Sequence, residues 1–532
     1  MQAFRSKLDT NSKAYLENYA YNTALLEELE TVMKESRFQG KQKYIEKARH
    51  SKQLLARERV ELLLDPDSPF LELLPLAGLG EGGFGPGGTI VAGVGLVSGK
   101  ICLVVANVGT LKGGAIDYAT VQKHNRLGEI ASENRLPVIY LVASAGVNLP
   151  EQEKIFNACG TLFRGITRRS KDNIPTVSVV FGNSTAGGAY IPGMSDYAIF
   201  VKERAKVFLA GPPLVKMATN EIADDESLGG AEMHSRVSGV SDYLAEDDYD
   251  AIRQAREIME FVPQPANADF TLHEVREPRY SPDEIKGIVP KSFKTPFDCR
   301  EIMARLADGS EFSEFKPEYG KTLVTAFANI KGMPVGILGN NGVLFSDSAN
   351  KGAQFIQLCN QNQTPLVFLQ NITGFMVGKK YEAEGIIKHG AKLINAVANS
   401  EVPAITIMTG ASFGAGNYAM NGRMYKPRFL FSWPNSVISV MGAEQLTGVM
   451  EIIGRNAANK AGIPFDEEKA KKQKEEMTKE IDRKSTAYYS SAQLWDDGVI
   501  DPSETREYLG MCLELVYRAG FESTQRYGVF RM

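Results

Sequence analysis

The feature that most constrains this chain is an internal repeat. Leu136-Pro137-Val138-Ile139-Tyr140-Leu141 matches Thr364-Pro365-Leu366-Val367-Phe368-Leu369, and Ile174-Pro175-Thr176-Val177 matches Val402-Pro403-Ala404-Ile405. Both pairs stand at one offset in numbering (365 − 137 = 403 − 175 = 228), as do Gly146 with Gly374 and Tyr190 with Tyr418. One spacing kept across intervening helices is the signature of a duplicated domain. The two copies must therefore fold on one plan.

Within each copy the pattern alternates between strand and helix. In the first, residues 91–97 and 101–105 read as strands joined at Ser98-Gly99-Lys100. A helix over 119–134, a strand over 136–142, a helix over 152–170 and a strand over 174–181 follow. Continuous apolar runs between helices argue for an α/β fold with sheets covered by helices rather than a sandwich. The proline-rich stretches Val262-Pro263-Gln264-Pro265-Ala266 and Glu277-Pro278-Arg279-Tyr280-Ser281-Pro282 place the domain boundary, giving 1–275 and 276–532. Upstream, residues 12–35 form an amphipathic helix that must dock on something. The basic run 41–52 leads into the leucines of 54–64 as another, its charges a solvated face. Glycines cluster from 78 to 88 as a turn-rich segment, and residues 466–484 alternate Glu and Lys as a further solvated helix face.

A net charge of -4 and a pI near 6.0 give no reason to expect nucleic acid or an anionic membrane as partner. The five cysteines are scattered with no C-x-x-C pair, so a reducing compartment and no structural metal are expected. No apolar run reaches the roughly 18 residues of a membrane span, and the expected location is cytoplasmic.

The chemistry points to the strand ends. Ala404-Ile405-Thr406-Ile407-Met408 runs into Ser412-Phe413-Gly414-Ala415-Gly416-Asn417-Tyr418, and at the same offset Ser184-Thr185-Ala186-Gly187-Gly188-Ala189-Tyr190 closes the matching strand of the first copy. A strand that breaks into small residues and restarts as a helix leaves backbone N–H groups unpaired and aimed one way, which suits an oxyanion; such turns also occur for close packing alone. Each copy offers a second loop, Ala145-Gly146 in the first and Gly374-Phe375 in the second. Side by side, two loops of one copy could stabilise an enolate, and two copies could serve two carbonyl-bearing partners.

Side-chain candidates are weaker. The five histidines are dispersed, no Ser/His/Asp or Cys/His set is legible, and Asp347, Glu382 and Glu384 suit surface or capping positions. There is no G-x-x-x-x-G-K-[ST] loop and no G-x-G-x-x-G following a strand. Lys112 and Lys216 could meet phosphates as point charges.

Together these stretches resemble the carboxyltransferase, or β, subunits of biotin-dependent acyl-CoA carboxylases, nearest the 3-methylcrotonyl-CoA carboxylase branch. Phe208 to Lys216, Leu228-Gly229-Gly230-Ala231, Gly339 to Ser346, Leu369 to Gly378 and Trp495-Asp496-Asp497-Gly498-Val499-Ile500-Asp501-Pro502 carry the resemblance alongside the two turns. It implies two tandem crotonase-like ββα-superhelix domains, a homo-hexamer, and active sites formed between the N-domain of one subunit and the C-domain of another. The acyl-CoA thioester oxygen is expected at Gly187 and Gly188, with Ala145, Gly146, Lys112, Ala210 and Gly211 contacting the substrate. The ureido oxygen of biotin is expected at Ala415 and Gly416, with Gly374, Phe375 and Gly414 around it. No protein base is required by that scheme. The chain lacks an Ala-Met-Lys-Met biotinylation sequence, so biotin is expected on a separate biotin carboxylase/biotin carrier α subunit.

Where the family usually carries Asp-Ser-Gly-Gly-Ala-Asn-Leu, this chain has Ala143-Ser144-Ala145-Gly146-Val147-Asn148-Leu149. Geranyl-CoA, propionyl-CoA or acetyl-CoA therefore stand as alternatives to 3-methylcrotonyl-CoA. Further alternatives are the carboxyltransferase subunit of a glutaconyl-CoA-type decarboxylase and a non-catalytic acyl-CoA-binding scaffold.

Overall fold

A computed structural model describes residues 3–263 and 272–530. The chain forms two compact units: an N-terminal unit of residues 31–267 with 492–494, and a C-terminal unit of residues 1–30, 268–491 and 495–532.

The N-terminal unit is built on strands β1 (Leu71–Glu72), β2 (Ile90–Val97), β3 (Lys100–Asn107), β4 (Val138–Ser144), β5 (Thr176–Thr185), β6 (Tyr197–Val201), β7 (Lys206–Phe208) and β8 (Tyr243–Ala245). They form one sheet in the order β1-β2-β3-β4-β5-β6-β8, with β7 paired to the end of β5. The β2–β3 hairpin closes through Ser98 and Gly99, both at positive φ (50° and 72°), the geometry that lets a two-residue turn follow strand twist. From β3 to β6 the pairing is parallel, with helices Tyr118–Glu133 and Gln152–Lys171 as crossovers. Val104, Ile139, Leu141, Val177 and Val179 are fully buried, as strands with both faces covered must be.

In the C-terminal unit the plan recurs with β9 (Phe312–Glu314), β10 (Leu323–Ile330), β11 (Met333–Asn340), β12 (Leu366–Ile372), β13 (Ala404–Phe413), β14 (Phe429–Ser432) and β15 (Val437–Ser439). The sheet order is β14-β13-β12-β11-β10-β9, with β15 on β13 as β7 is on β5. The duplication extends to irregularities. Pairing of β4 with β5 shifts register between Val142 and Ser144, and pairing of β12 with β13 shifts between Gln370 and Ile372, the equivalent positions of the second copy.

Two sequence expectations change. Residues 1–30 belong to the C-terminal unit rather than to a 1–275 domain. The helix Lys13–Ser36 docks there because Asn22 Nδ2 donates to the carbonyls of Lys286 and Val289 at 2.7 and 2.9 Å, and the Tyr15 ring fills the space where a Cβ on Gly287 would lie. The segment 41–64 is two helices, Gln42–His50 and Ala56–Leu63, not one. The proline-rich stretch 262–266 lies partly outside the described residues. Helix Glu467–Ser485 is the solvated helix expected of its charges. Among the described residues no helix is long and apolar enough to cross a membrane.

Candidate functional site

At the end of β5 the chain enters a short turn, Ala186–Ala189, with Ala186 in the left-handed region at φ 53°. Its counterpart Gly414, at the end of β13, has φ 55°. A left-handed residue at the same register in both copies turns the backbone abruptly out of the sheet. The cost of that conformation for an L-residue is about 1–2 kcal/mol at Ala186 and is avoided at Gly414 by glycine.

In the C-terminal unit the available donors are narrowed to two. The Gly414 N–H is committed to the Ser439 carbonyl at 3.0 Å. Asn417 N–H returns to the Gly414 carbonyl at 3.1 Å. Ala415 and Gly416 open the helix Ala415–Ala419, where N–H groups have no acceptor one turn back. Gly187 and Gly188 hold the same register in the first turn of the N-terminal unit.

The second loop of each copy lies against its turn. The Ile116 N–H donates to the Gly146 carbonyl at 2.8 Å and the Leu344 N–H to the Gly374 carbonyl at 3.1 Å, again as equivalent pairs. A Cβ on Gly146 would sit 3.2 Å from the Thr185 carbonyl oxygen, and one on Gly416 would sit 3.3 Å from the Gly374 Cα and 2.6 Å from Ile372. Glycine at these positions lets the two backbones touch. The Ala145 N–H is taken by the Gly113 carbonyl at 2.9 Å and the Gly146 N–H by Ser144 Oγ at 3.2 Å, so this loop walls the first turn without offering it a donor. Phe375 is half-buried, its ring 3.0 Å from where a Cβ on Gly390 would be.

Ala210 and Gly211 come next to the first turn because β7 pairs Phe208 with Thr185, and Gly211 lies close to the Phe208 ring. Lys112 is reached through Gly113, whose carbonyl holds Ala145. It opens onto a cavity of about 760 Å³ that also receives Lys41, Lys47, Arg59, Arg204 and the ring of Phe84. Asp248, fully buried, neutralises one charge of that wall: Arg59 donates to it through Nη2 at 2.9 Å and Nε at 3.2 Å, Arg204 donates to its other oxygen, and the Leu54 N–H adds a bond at 3.0 Å. Two guanidinium groups on one carboxylate leave a positive surplus. Lys41, Lys47 and Lys112 form no ion pair among the described residues, so the cavity favours anions. The lysines at 41 and 47 lie in the run expected to be a solvated face.

Several of the side chains considered as acids or bases are engaged elsewhere. Asp347 accepts from the Ser348 N–H at 2.7 Å at the start of helix Ser346–Gln361, and Glu384 faces Lys380 at 3.9 Å. Both ring nitrogens of His234 are bonded, to Ser238 Oγ and the Val207 carbonyl at 2.6 Å each. Burial, reinforced by Lys123 and Arg169, pulls His124 down to about 4. Lys216 lies in the exposed part of helix Pro212–Thr219 and does not line the cavity.

The carboxyl transferase domain model matches residues 47–527. A probable biotin-dependent acyl-coenzyme A carboxylase beta2 subunit of Mycobacterium tuberculosis is 51% identical over 99% of this chain and 100% of its own length. A probable mitochondrial methylcrotonoyl-CoA carboxylase beta chain of Drosophila melanogaster is 49% identical over 99% of this chain and 95% of its own. Among solved structures, the beta subunit of geranyl-CoA carboxylase from P. aeruginosa superposes with a TM-score of 0.90 at 44% identity, covering 99% of both chains. With its paired turns, its duplicated sheets and this similarity along its whole length, the chain belongs to the carboxyl transferase domain family.

Proposed function

We propose that the chain transfers a carboxyl group from biotin, held on a separate α subunit, to the γ-carbon of 3-methylcrotonyl-CoA, giving 3-methylglutaconyl-CoA. The observation that carries this reading is the pair of equivalent turns, each ending a buried strand with two N–H groups in its first turn. Methylcrotonoyl-CoA carboxylase beta chains among the relatives support the choice of acyl group.

The acyl-CoA enters at the N-terminal unit. Its phosphates lie in the cationic cavity against Lys112, and its thioester oxygen lies at Gly187 and Gly188. When the γ-proton leaves, negative charge spreads through the conjugated system to that oxygen, and the two amides stabilise it where it develops. Loss of one such donor costs about 2.7–4 kcal/mol of barrier. Ala415 and Gly416 fit the ureido oxygen of biotin, because their two N–H groups stand side by side with the neighbouring Gly414 N–H already engaged. Bound biotin supplies the carboxyl group and the acceptor for the substrate proton. The chain's part is to hold both oxygens.

The working form is a homo-hexamer, supported by apolar side chains left exposed at equivalent positions beside the two loops: Leu149 at 71% and Val377 at 76%. The assigned compartment is the cytoplasm, with all five cysteines free.

Transfer of labelled carboxyl from a carboxylated biotin carrier to 3-methylcrotonyl-, geranyl-, propionyl- and acetyl-CoA tests the reading. The conjugated 3-methylcrotonyl thioester is expected to have the highest kcat/KM. Preference for geranyl-CoA would support the second reading, favoured by the 0.90 TM-score to a geranyl-CoA carboxylase subunit. Preference for a saturated thioester would refute both.

A further inference from the structure

The two turns are built alike but fastened differently. One residue before its end each strand carries a fully buried serine, Ser184 in β5 and its equivalent Ser412 in β13. Ser184 Oγ donates to the Gly188 carbonyl at 2.9 Å, closing the first turn on itself. Ser412 Oγ instead receives Asn417 Nδ2 at 2.7 Å, tying the strand to the residue just beyond Ala415 and Gly416.

Asn417 is held from several sides. Its N–H reaches the Gly414 carbonyl at 3.1 Å, and its carbonyl accepts the Gly422 N–H at 2.9 Å and Gln370 Nε2 at 3.2 Å. A Cβ on Gly422 would fall 1.9 Å from Asn417 Oδ1, so nothing larger than glycine leaves the side chain in place. Gln370, fully buried in β12, also donates to the Met420 carbonyl at 3.2 Å. The Ala415 and Gly416 amides are thus clamped, with the Gly414–Ser439 bond before them and Asn417 bolted to β12 and β13 behind. The residue in Asn417's place in the other copy is Ala189, which has no polar side chain.

We infer that Asn417 and Ser412 are positioning residues that hold the Ala415 and Gly416 N–H groups in line for the ureido oxygen of biotin, a device absent from the acyl-CoA turn. The inference rests on the assignment of this turn to biotin. Donors fixed before the reaction need no reorganisation as charge develops, and misplacement by about 1 Å costs about 100-fold in rate. Removing the bolt leaves both amides present but free to swing.

The test uses the full chain assembled with its biotin-carrying α subunit and compares Asn417→Ala, Ser412→Ala, their double variant, Ser412→Thr and Ala415→Pro. Asn417→Ala and Ser412→Ala are expected to lower kcat by about 10- to 100-fold, with the acyl-CoA KM within about twofold of wild type, because the acyl turn is fastened separately. The double variant should be no worse than the poorer single variant, since both remove one bond. Ser412→Thr keeps the hydroxyl and should recover most of the loss. If Asn417→Ala does not fold, the Ser412→Ala and Ser412→Thr pair carries the test alone. Unchanged kcat in the bolt variants alongside a collapsed Ala415→Pro overturns the inference and leaves the site assignment standing. Unchanged kcat in Ala415→Pro overturns the assignment, and the inference with it. A rise in acyl-CoA KM matching the fall in kcat overturns the inference by showing a general structural role.

Discussion

Replacing Ala415 with proline deletes one backbone donor with little other disturbance. Ala415 is the first residue of helix Ala415–Ala419, where proline is tolerated because the missing N–H had no helical partner. The preceding residue is Gly414, which has no Cβ to clash with the proline ring, and Ala415 itself is exposed. The Gly414 N–H cannot stand in, because the Ser439 carbonyl holds it at 3.0 Å. One of two donors is therefore lost outright, and the barrier rises by about 2.7–4 kcal/mol, or about 10²- to 10³-fold in kcat. The assay is single-turnover carboxyl transfer from a carboxylated biotin carrier at saturating acyl-CoA, with thermal unfolding alongside to confirm that the fold persists. Retention of kcat within about threefold in a folded variant would refute the assignment of this turn as an oxyanion hole. The change Gly187→Pro removes a donor on the acyl-CoA half and should cost as much in a variant that thermal unfolding shows to be folded, a check it needs because Ala186, unlike Gly414, has a Cβ beside the new ring.

Further outcomes follow from the cavity and from the C-terminal core. Lys112→Ala should raise the acyl-CoA KM by about 5- to 30-fold, equivalent to about 1–2 kcal/mol for a charged phosphate contact, while leaving kcat unchanged and leaving a pantetheine thioester, which lacks the nucleotide, unaffected in steady-state assays. Asp496 is fully buried, and burial pushes its carboxyl from 3.8 up to about 6 despite the 2.7 Å bond from Ser432 Oγ. Its folded pKa is raised, so the stability it contributes is present below pH 4 and is lost as pH rises through 6, where the fold must bury a carboxylate that the unfolded chain solvates. Asp496→Asn should therefore be more stable than wild type at pH 8, by on the order of 3 kcal/mol at most, with the difference vanishing near pH 4 in chemical denaturation.

The repeat makes the strand ends legible. β4, β5 and the helix before β4 keep one spacing with β12, β13 and the helix before β12, so Gly187-Gly188 can be set on Ala415-Gly416 by counting. The hairpins are harder to see: β2 and β3 stand at a different offset from β10 and β11 (323 − 90 = 333 − 100 = 233), because the loops that follow differ in length. Sequence alone cannot show that Gly414's N–H is engaged, since its acceptor Ser439 lies on a strand that follows an intervening turn and strand. Lys41 and Lys47 read as a solvated face because helical periodicity marks which residues share a side, not what that side faces. The N-terminal helix carries a docking signal in its apolar spacing but no address, since Asn22 meets the carbonyls of Lys286 and Val289, beyond every strand of the N-terminal unit in sequence. Ala186 gives no sign of its left-handed φ, which only its glycine counterpart at 414 hints at.

The central claim is that this chain moves a carboxyl group from biotin to a conjugated acyl-CoA by holding two oxygens at two equivalent turns. Its most direct test mixes the purified chain with a biotin carrier charged with labelled carboxyl and 3-methylcrotonyl-CoA, and follows label into the thioester. Labelled 3-methylglutaconyl-CoA is expected, suppressed about 10²- to 10³-fold by either Gly187→Pro or Ala415→Pro. Label that stays on the carrier with every acyl-CoA offered, or that transfers undiminished in both proline variants, would contradict it.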